Sequence, residues 1–196
     1  MARVFFSLGS NLGDSPAHLR YAIERIAREI GPILHVSSLY RTAPQGVSHQ
    51  PDYLNAVVGC DTSLGPEEVL GRCLAIEAAR GRIREFMPPS LAVEADACVG
   101  TGTSDASTAS GGGIAPRTLD IDLLLYDDLQ IETDSLCIPH PRMEQRSFVL
   151  TPLAEIEPNL ILPSGASVCE LLARDEIRAQ RVERLGELAA SFHPTY

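Results

Sequence analysis

The stretch Arg117-Thr118-Leu119-Asp120-Ile121-Asp122-Leu123-Leu124-Leu125-Tyr126 decides the fold. From Thr118 to Tyr126 it is strongly apolar, and Asp127-Asp128 closes it, which reads as a strand running into a turn and a further short strand near Leu129. Ahead of it, Pro66-Glu67-Glu68 opens a helix with acids in its first turn, Val69, Leu70, Cys73, Leu74 and Ile76 form its apolar stripe, and Gly81 ends it. Further back, Ile33 to Arg41 and Tyr53 to Thr62 read as strands, separated by a loop carrying Pro44, Gly46 and Pro51. The chain begins with a strand from Arg3 to Leu8 and a turn at Gly9-Ser10-Asn11. A helix follows, with Ser15 as N-cap, Pro16 at its first position, Leu19, Ile23, Ile26 and Ile30 at helical spacing, and Gly31-Pro32 as its stop. With the decisive strand in last place, the order is β-α-β-β-α-β. That is an α+β, ferredoxin-like arrangement, an antiparallel sheet with both helices packed on one face.

Two segments stand outside this pattern. Residues 85–116 hold no basic residue and no sustained apolar period, and from Gly100 to Gly113 the chain is only Gly, Thr, Ser, Asp and Ala. Such a composition buries too little to offset its ordering entropy, so a long flexible lid loop is expected there. The tail from Val168 to about Ala190 reads as helical, and residues 174–196 have no evident role within the single domain of 1–196.

Composition excludes several classes of function. The 196 residues carry 16 basic against 26 acidic side chains, a net charge of −10, and every basic residue is Arg. The negative field opposes binding to nucleic acid or to an anionic membrane surface. Without Lys there is no Schiff-base amine and no phosphate-loop lysine. The five cysteines, Cys60, Cys73, Cys98, Cys137 and Cys169, never form a Cys-x-x-Cys pair and read as reduced thiols. No apolar run approaches a signal peptide or a membrane span, so a cytoplasmic monomer acting on small molecules is the expectation.

A strand alternates its faces, so Asp120 and Asp122 project together while Leu119, Ile121 and Leu123 face the core. Two carboxylates beside an arginine suit Mg²⁺, which takes one or two carboxylates plus substrate phosphates. The same string also fits a solvated acidic pair on an exposed strand. Arg80, Arg82 and Arg84 follow the second helix at alternate positions, Arg117 closes the long loop, and Arg142 and Arg146 lie near His140. Planar forks at several places along the chain suit a polyphosphate. Tyr53 and Asn55 share a strand face, where an aromatic plane beside an amide can hold a flat heterocycle. A Tyr packed over the sheet and an Asn serving a turn would look the same in sequence. The Gly9-Ser10-Asn11-Leu12-Gly13 run lacks the spacing of a phosphate loop and reads as a tight strand-to-helix turn.

Taken in order, Leu8-Gly9-Ser10-Asn11-Leu12-Gly13, Ser37-Ser38-Leu39-Tyr40-Arg41-Thr42, Gln50-Pro51-Asp52-Tyr53-Leu54-Asn55-Ala56, Ile76-Glu77 with Gly81-Arg82-Ile83-Arg84, Pro116-Arg117-Thr118-Leu119-Asp120-Ile121-Asp122, and Pro139-His140 with Arg146 and Phe148 resemble the hydroxymethyl-dihydropterin pyrophosphokinase family of folate biosynthesis. The resemblance covers nearly the whole chain. It implies transfer of pyrophosphate from ATP to a reduced pterin, releasing AMP, with two Mg²⁺ ions held by Asp120 and Asp122. It also implies catalytic roles for Arg82 and Arg117, and a pterin site of Thr42, Ala43, Gln45, Tyr53, Asn55 and Phe148. ATP would meet Glu77, Arg82, Arg84, Arg117, Leu123, His140 and Arg146.

The chain departs from that family in four places. Ile114-Ala115 stand where the family has Trp-Gly, Ala43 replaces a frequent Pro, Leu74 a frequent Gln and Pro141 a frequent Tyr. A longer lid closes at a cost that grows only logarithmically, roughly 0.6 kcal/mol per doubling, so slower closure is expected rather than inactivity. A two-metal nuclease would need a basic track that a charge of −10 does not provide. A non-catalytic binding module on the same fold stays open at this point.

Overall fold

The computed structural model describes residues 1–44, 50–81 and 116–188. At its centre β1 (Ala2–Ser10) pairs antiparallel with β4 (Tyr53–Thr62) on one side and β5 (Asp120–Tyr126) on the other. β4 also carries β2 (Ile33–Val36) and β3 (Ser38–Thr42), and β8 (Val182–Glu187) adds to β3, so the sheet runs β5-β1-β4-β3-β8 with β2 joined to β4. A small hairpin of β6 (Ile131–Glu132) and β7 (Cys137–Ile138) follows β5.

Helices α1 (Ser15–Glu29) and α2 (Pro66–Ala78) cover one face of the sheet. Leu19, Ile23, Ile26, Val69 and Ile76 meet Phe6, Leu8, Val58 and Ile121 there with essentially no exposure. At roughly 1.5–3 kcal/mol for each such side chain, this layer supplies most of the drive for the fold. On the opposite face α3 (Ser147–Ile156), α4 (Val168–Leu172) and α5 (Asp175–Arg178) pack over Phe5, Val57, Leu124 and Leu125. They cover only part of that face.

Four local readings are corrected. The expected strand from Ile33 to Arg41 is broken at Ser37, whose Oγ takes the Val57 N–H at 2.9 Å while its own N–H reaches the Val57 carbonyl at 2.9 Å. A hydroxyl has replaced a backbone acceptor in the ladder, and the strand divides there. The cap of α1 is Asp14, whose carboxylate accepts from Ala17 N–H at 3.0 Å, and Ser15 is the first helical residue. The tail is not one helix: α4 and α5 are short, and Val182 to Glu187 form the edge strand β8. Val182, Leu185 and Leu188 recur at a helical interval, but Leu185 is an extra residue bulged out of the pairing with β3, and Gly186 sits at φ 125°, outside any helix. β5 begins at Asp120 rather than Thr118. The lid expected over 85–116 lies outside the described residues, apart from Pro116.

Glu155 of α3 ties this helix to the sheet edge. It accepts from Ser38 N–H at 2.8 Å, Ser38 Oγ at 2.7 Å and Tyr40 OH at 2.9 Å, with Arg184 of β8 at 3.3 Å. Burial, then the Glu155 carboxylate, pushes the Tyr40 phenol up to about 12. Burial also pushes Glu155 up, but its hydrogen bonds overcome that and hold it below the ordinary value. A carboxyl depressed on folding stabilises above its unfolded pKa, roughly 4.3, and loses that contribution as pH falls through the lower folded value. Glu155→Gln is therefore expected to cost about 1–2 kcal/mol at neutral pH in urea unfolding, with the difference shrinking below about pH 4. A pH-independent difference would contradict the ionic account.

Candidate active site

The uncovered part of the second sheet face holds a cavity of about 300 Å³. Its floor follows from register. Gly9 of β1 pairs with Asn55 of β4 on one side and Asp120 of β5 on the other, and Ser7 pairs with Asp122. Side chains two apart share a face, so Ser7, Gly9, Tyr53, Asn55, Asp120 and Asp122 all line the same cavity. A β-bulge sets Leu124 as an extra residue opposite the Phe5–Phe6 step, which returns Leu125 to the second core beyond the acids. A Cβ built on Gly9 would meet Asn55 Oδ1 at 3.4 Å and Asp120 Cβ at 3.8 Å, ordinary contacts, so the glycine leaves the floor open between amide and carboxylate.

The far wall is the segment from His140 to Phe148. Met143, fully buried in the second core, anchors it, and the Ser147 N–H is held by Gln180 Oε1 at 2.9 Å. The backbone N–H of His140 donates to Leu124 O at 2.9 Å, which fixes the histidine beside β5. Its Nδ1 accepts from Arg142 N–H at 3.2 Å, so the neutral ring carries its proton on Nε2, 4.0 Å from Asp122 Oδ2. Burial keeps His140 below its ordinary value, with Asp122 pulling the other way and Arg146 and Arg142 adding to the depression. Arg146 places NH1 3.7 Å from Asp122 Oδ2 and its guanidinium 5.4 Å from the Phe148 ring centre. Burial also lowers Arg146, though a guanidinium stays charged.

At the other acid, Arg117 forms a hydrogen-bonded ion pair with Asp120. Among the described lining residues, Arg117, Arg142 and Arg146 face Asp120 and Asp122, three cations to two anions. Asn55 is buried, and its Nδ2 donates to Thr42 Oγ1 at 2.8 Å, which turns Oδ1 toward Gly9 and the cavity floor. Thr42, Ala43, Tyr53 and Phe148 complete that side.

The cavity thus gathers Thr42, Ala43, Tyr53, Asn55, Arg117, Asp120, Asp122, His140, Arg146 and Phe148 from the residues singled out in sequence. Leu123 faces the α1/α2 core instead, and Glu77, buried on α2, accepts from Ile121 N–H at 2.7 Å. Gln45, Arg82 and Arg84 lie outside the described residues. Arg142, singled out in sequence only as one of the forks suited to a polyphosphate, also lines the cavity, as do Ser7 and Gly9, which had no assigned role and follow from the period of two along β1 once its pairing with β5 is known.

The donor set fits a hard cation. No group of three or more His, Cys, Asp or Glu side chains able to hold a metal exists among the described residues. Two carboxylates on one strand face opening into a cavity would bind Mg²⁺ with water and ligand oxygens completing its shell, as that ion prefers.

Residues 5–95 and 103–158 match the family model for 7,8-dihydro-6-hydroxymethylpterin-pyrophosphokinase (HPPK). The chain belongs to this family. It is 38% identical over 185 residues to a 2-amino-4-hydroxy-6-hydroxymethyldihydropteridine pyrophosphokinase of Methylorubrum extorquens, covering 93% of this chain and 100% of the relative. It is 34% identical over 172 residues to the Pseudomonas aeruginosa protein of the same name, covering 87% and 90%. The fold is similar to that of the wild-type Plasmodium falciparum HPPK-DHPS crystal structure, with a TM-score of 0.60 and 13% identity over 87% of this chain and 44% of that one. The chain therefore spans less than half the length of that larger protein. Within the HPPK match, 96–102 is passed over, inside the expected lid, and β8 lies beyond its end.

Gly9 tests the geometry of the floor. Gly in a strand interior is destabilising by roughly 0.5–1 kcal/mol relative to Ala, so Gly9→Ala is expected to match or exceed wild-type stability in urea unfolding. A clear loss of stability would mean that the floor is already filled.

Proposed function

We propose that this HPPK-family chain transfers the pyrophosphoryl group of ATP to the hydroxymethyl oxygen of 6-hydroxymethyl-7,8-dihydropterin, giving the pterin diphosphate and AMP, in folate biosynthesis. The observation that carries the reading is the row Asp120, Gly9, Asn55 across three paired strands, which sets a metal-binding carboxylate and a heterocycle-reading amide on one open floor. One half of the cavity is flat and aromatic, the other cationic.

Asn55 Oδ1 accepts an N–H from the pterin edge, its Nδ2 being engaged by Thr42, and backbone groups about Ala43 and Gln45 meet the same edge. Tyr53 and Phe148 supply planes on which the ring stacks. Arg117 and Arg146, each beside a carboxylate, hold cations where phosphate oxygens would bind. His140 donates Nε2–H to a phosphate oxygen, its other nitrogen being occupied by Arg142 N–H. These fixed donors absorb charge developing on the transferred group without reorganising. Two Mg²⁺ ions, held by Asp120 and Asp122, would acidify the hydroxyl and screen the phosphates. No side-chain base is then required. The family resemblance assigns Arg82, Arg84, Glu77 and Leu123 to the nucleotide as well, Glu77 and Leu123 from the α2 side of the outer strand β5. The strand order β5-β1-β4-β3 supports the ferredoxin-like reading, and residues 85–116 are proposed as its lid. No helix among the described residues is long and apolar enough to cross a membrane, and a cytoplasmic monomer acting on small molecules alone is proposed.

Incubation with ATP, Mg²⁺ and hydroxymethyl-dihydropterin is expected to yield AMP only when the pterin is present. Both ligands binding without AMP would identify a binding module instead. Asp122→Asn should lower turnover by on the order of 100-fold while the protein stays folded. Near-normal turnover in that variant would remove Asp122 from the metal site. Asn55→Ala should raise the pterin KM about tenfold and leave the ATP KM nearly unchanged, whereas equal losses would misplace the pterin half.

A further inference from the structure

Asn11 follows the last residue of β1 and is 4% exposed, an unusual position for a turn amide. Its backbone N–H donates to the Arg117 carbonyl at 3.1 Å and its Oδ1 accepts the Arg117 N–H at 2.8 Å. The side chain thereby completes a two-point pairing that the backbone alone would leave half made, and it extends the β1–β5 pairing to the residue whose guanidinium meets Asp120. The other half of the same amide points elsewhere. Nδ2 donates to Gln50 Oε1 at 3.3 Å and to the Pro51 carbonyl at 3.4 Å, the segment that leads into Tyr53 and Asn55.

We propose that Asn11 is a positioning residue that couples the two halves of the cavity, its acceptor setting the backbone register of Arg117 and its donor setting residues 50–51 at the rim of the aromatic half. The proposal rests on the pyrophosphokinase reading for its kinetic consequences and not for its geometry. Only a planar amide of this length offers an acceptor and two donors from one buried point. Aspartate keeps the acceptor for Arg117 but turns a carboxylate toward the Pro51 carbonyl, which cannot reorient. Alanine removes both. The two variants therefore separate the two halves.

The test uses the full chain with ATP, Mg²⁺ and hydroxymethyl-dihydropterin, together with amide hydrogen exchange at Arg117. Asn11→Ala should lower kcat about 10- to 100-fold, the scale of losing a supporting contact to a catalytic group. In an Arg117→Ala background the same change should alter kcat less than about twofold, because both act through one guanidinium. Asn11→Asp should hold kcat within about threefold of wild type while raising the pterin KM severalfold, the split expected when only the rim contact is lost. The Arg117 amide should lose its protection in Asn11→Ala and keep it in Asn11→Asp, whatever the chain catalyses. Unchanged protection in Asn11→Ala, full multiplicative losses in the double variant, or identical kinetics for the Ala and Asp variants would each overturn the proposal. If the alanine variant does not fold, the aspartate variant decides: retained Arg117 protection with a raised pterin KM supports it, and lost protection overturns it. Absence of turnover in the wild type would fail the functional reading alone, since the exchange measurement would still decide the role of Asn11.

Discussion

Everything in the cavity depends on the register of β1 between two antiparallel neighbours. That strand contributes no charged side chain to the cavity lining, yet its pairings bring Asn55 and Asp120, far apart in sequence, to either side of Gly9. A slip of one residue on either side would turn every side chain of the slipped strand to the other face. The register is held by the opposite face, where Phe6 and Leu8 alternate with Ser7 and Gly9 and are wholly buried against α1 and α2. The core on one side of the sheet thus sets the chemistry on the other.

The electrostatics of the cavity follow from the same placement. Two acids on one strand face would repel one another, and partial burial would make that costly. Arg117 and Arg146 relieve the repulsion from two sides, one from the residues just before β5 and one from the wall that Met143 anchors. The arrangement is balanced without ligands and stays cationic enough to accept an anionic one, because Arg142 adds a third guanidinium to the lining. An exclusively arginine cation set keeps that balance at any physiological pH.

Local pattern revealed much of this in advance. Strand β4 runs over the residues its apolar content indicates, Tyr53 to Thr62, and α1 and α2 lie where their apolar stripes put them, with the cap of α1 one residue earlier at Asp14. The acid pair and the Tyr53 and Asn55 face were legible because a strand alternates. Readings failed where a side chain or a distant strand overruled local period: Ser37 replaces a ladder acceptor, and Val182, Leu185 and Leu188 mimic a helix although β3 recruits their segment as an edge. Ser7, Gly9 and Asn11 were not assigned to the site because their roles arise from pairing with residues some forty to more than a hundred positions away. Leu123 and Glu77, assigned through resemblance, face or tie together the α2 side of β5 rather than line the cavity.

The central claim is that a two-phosphate unit moves onto the pterin in one step, spanning the distance from the cationic wall to the amide floor. Labelling ATP separately at the α, β and γ phosphorus and separating the products tests this most directly. The account predicts β and γ label together in the pterin product and α label only in AMP. Transfer of γ label alone, with ADP as the second product, would contradict it.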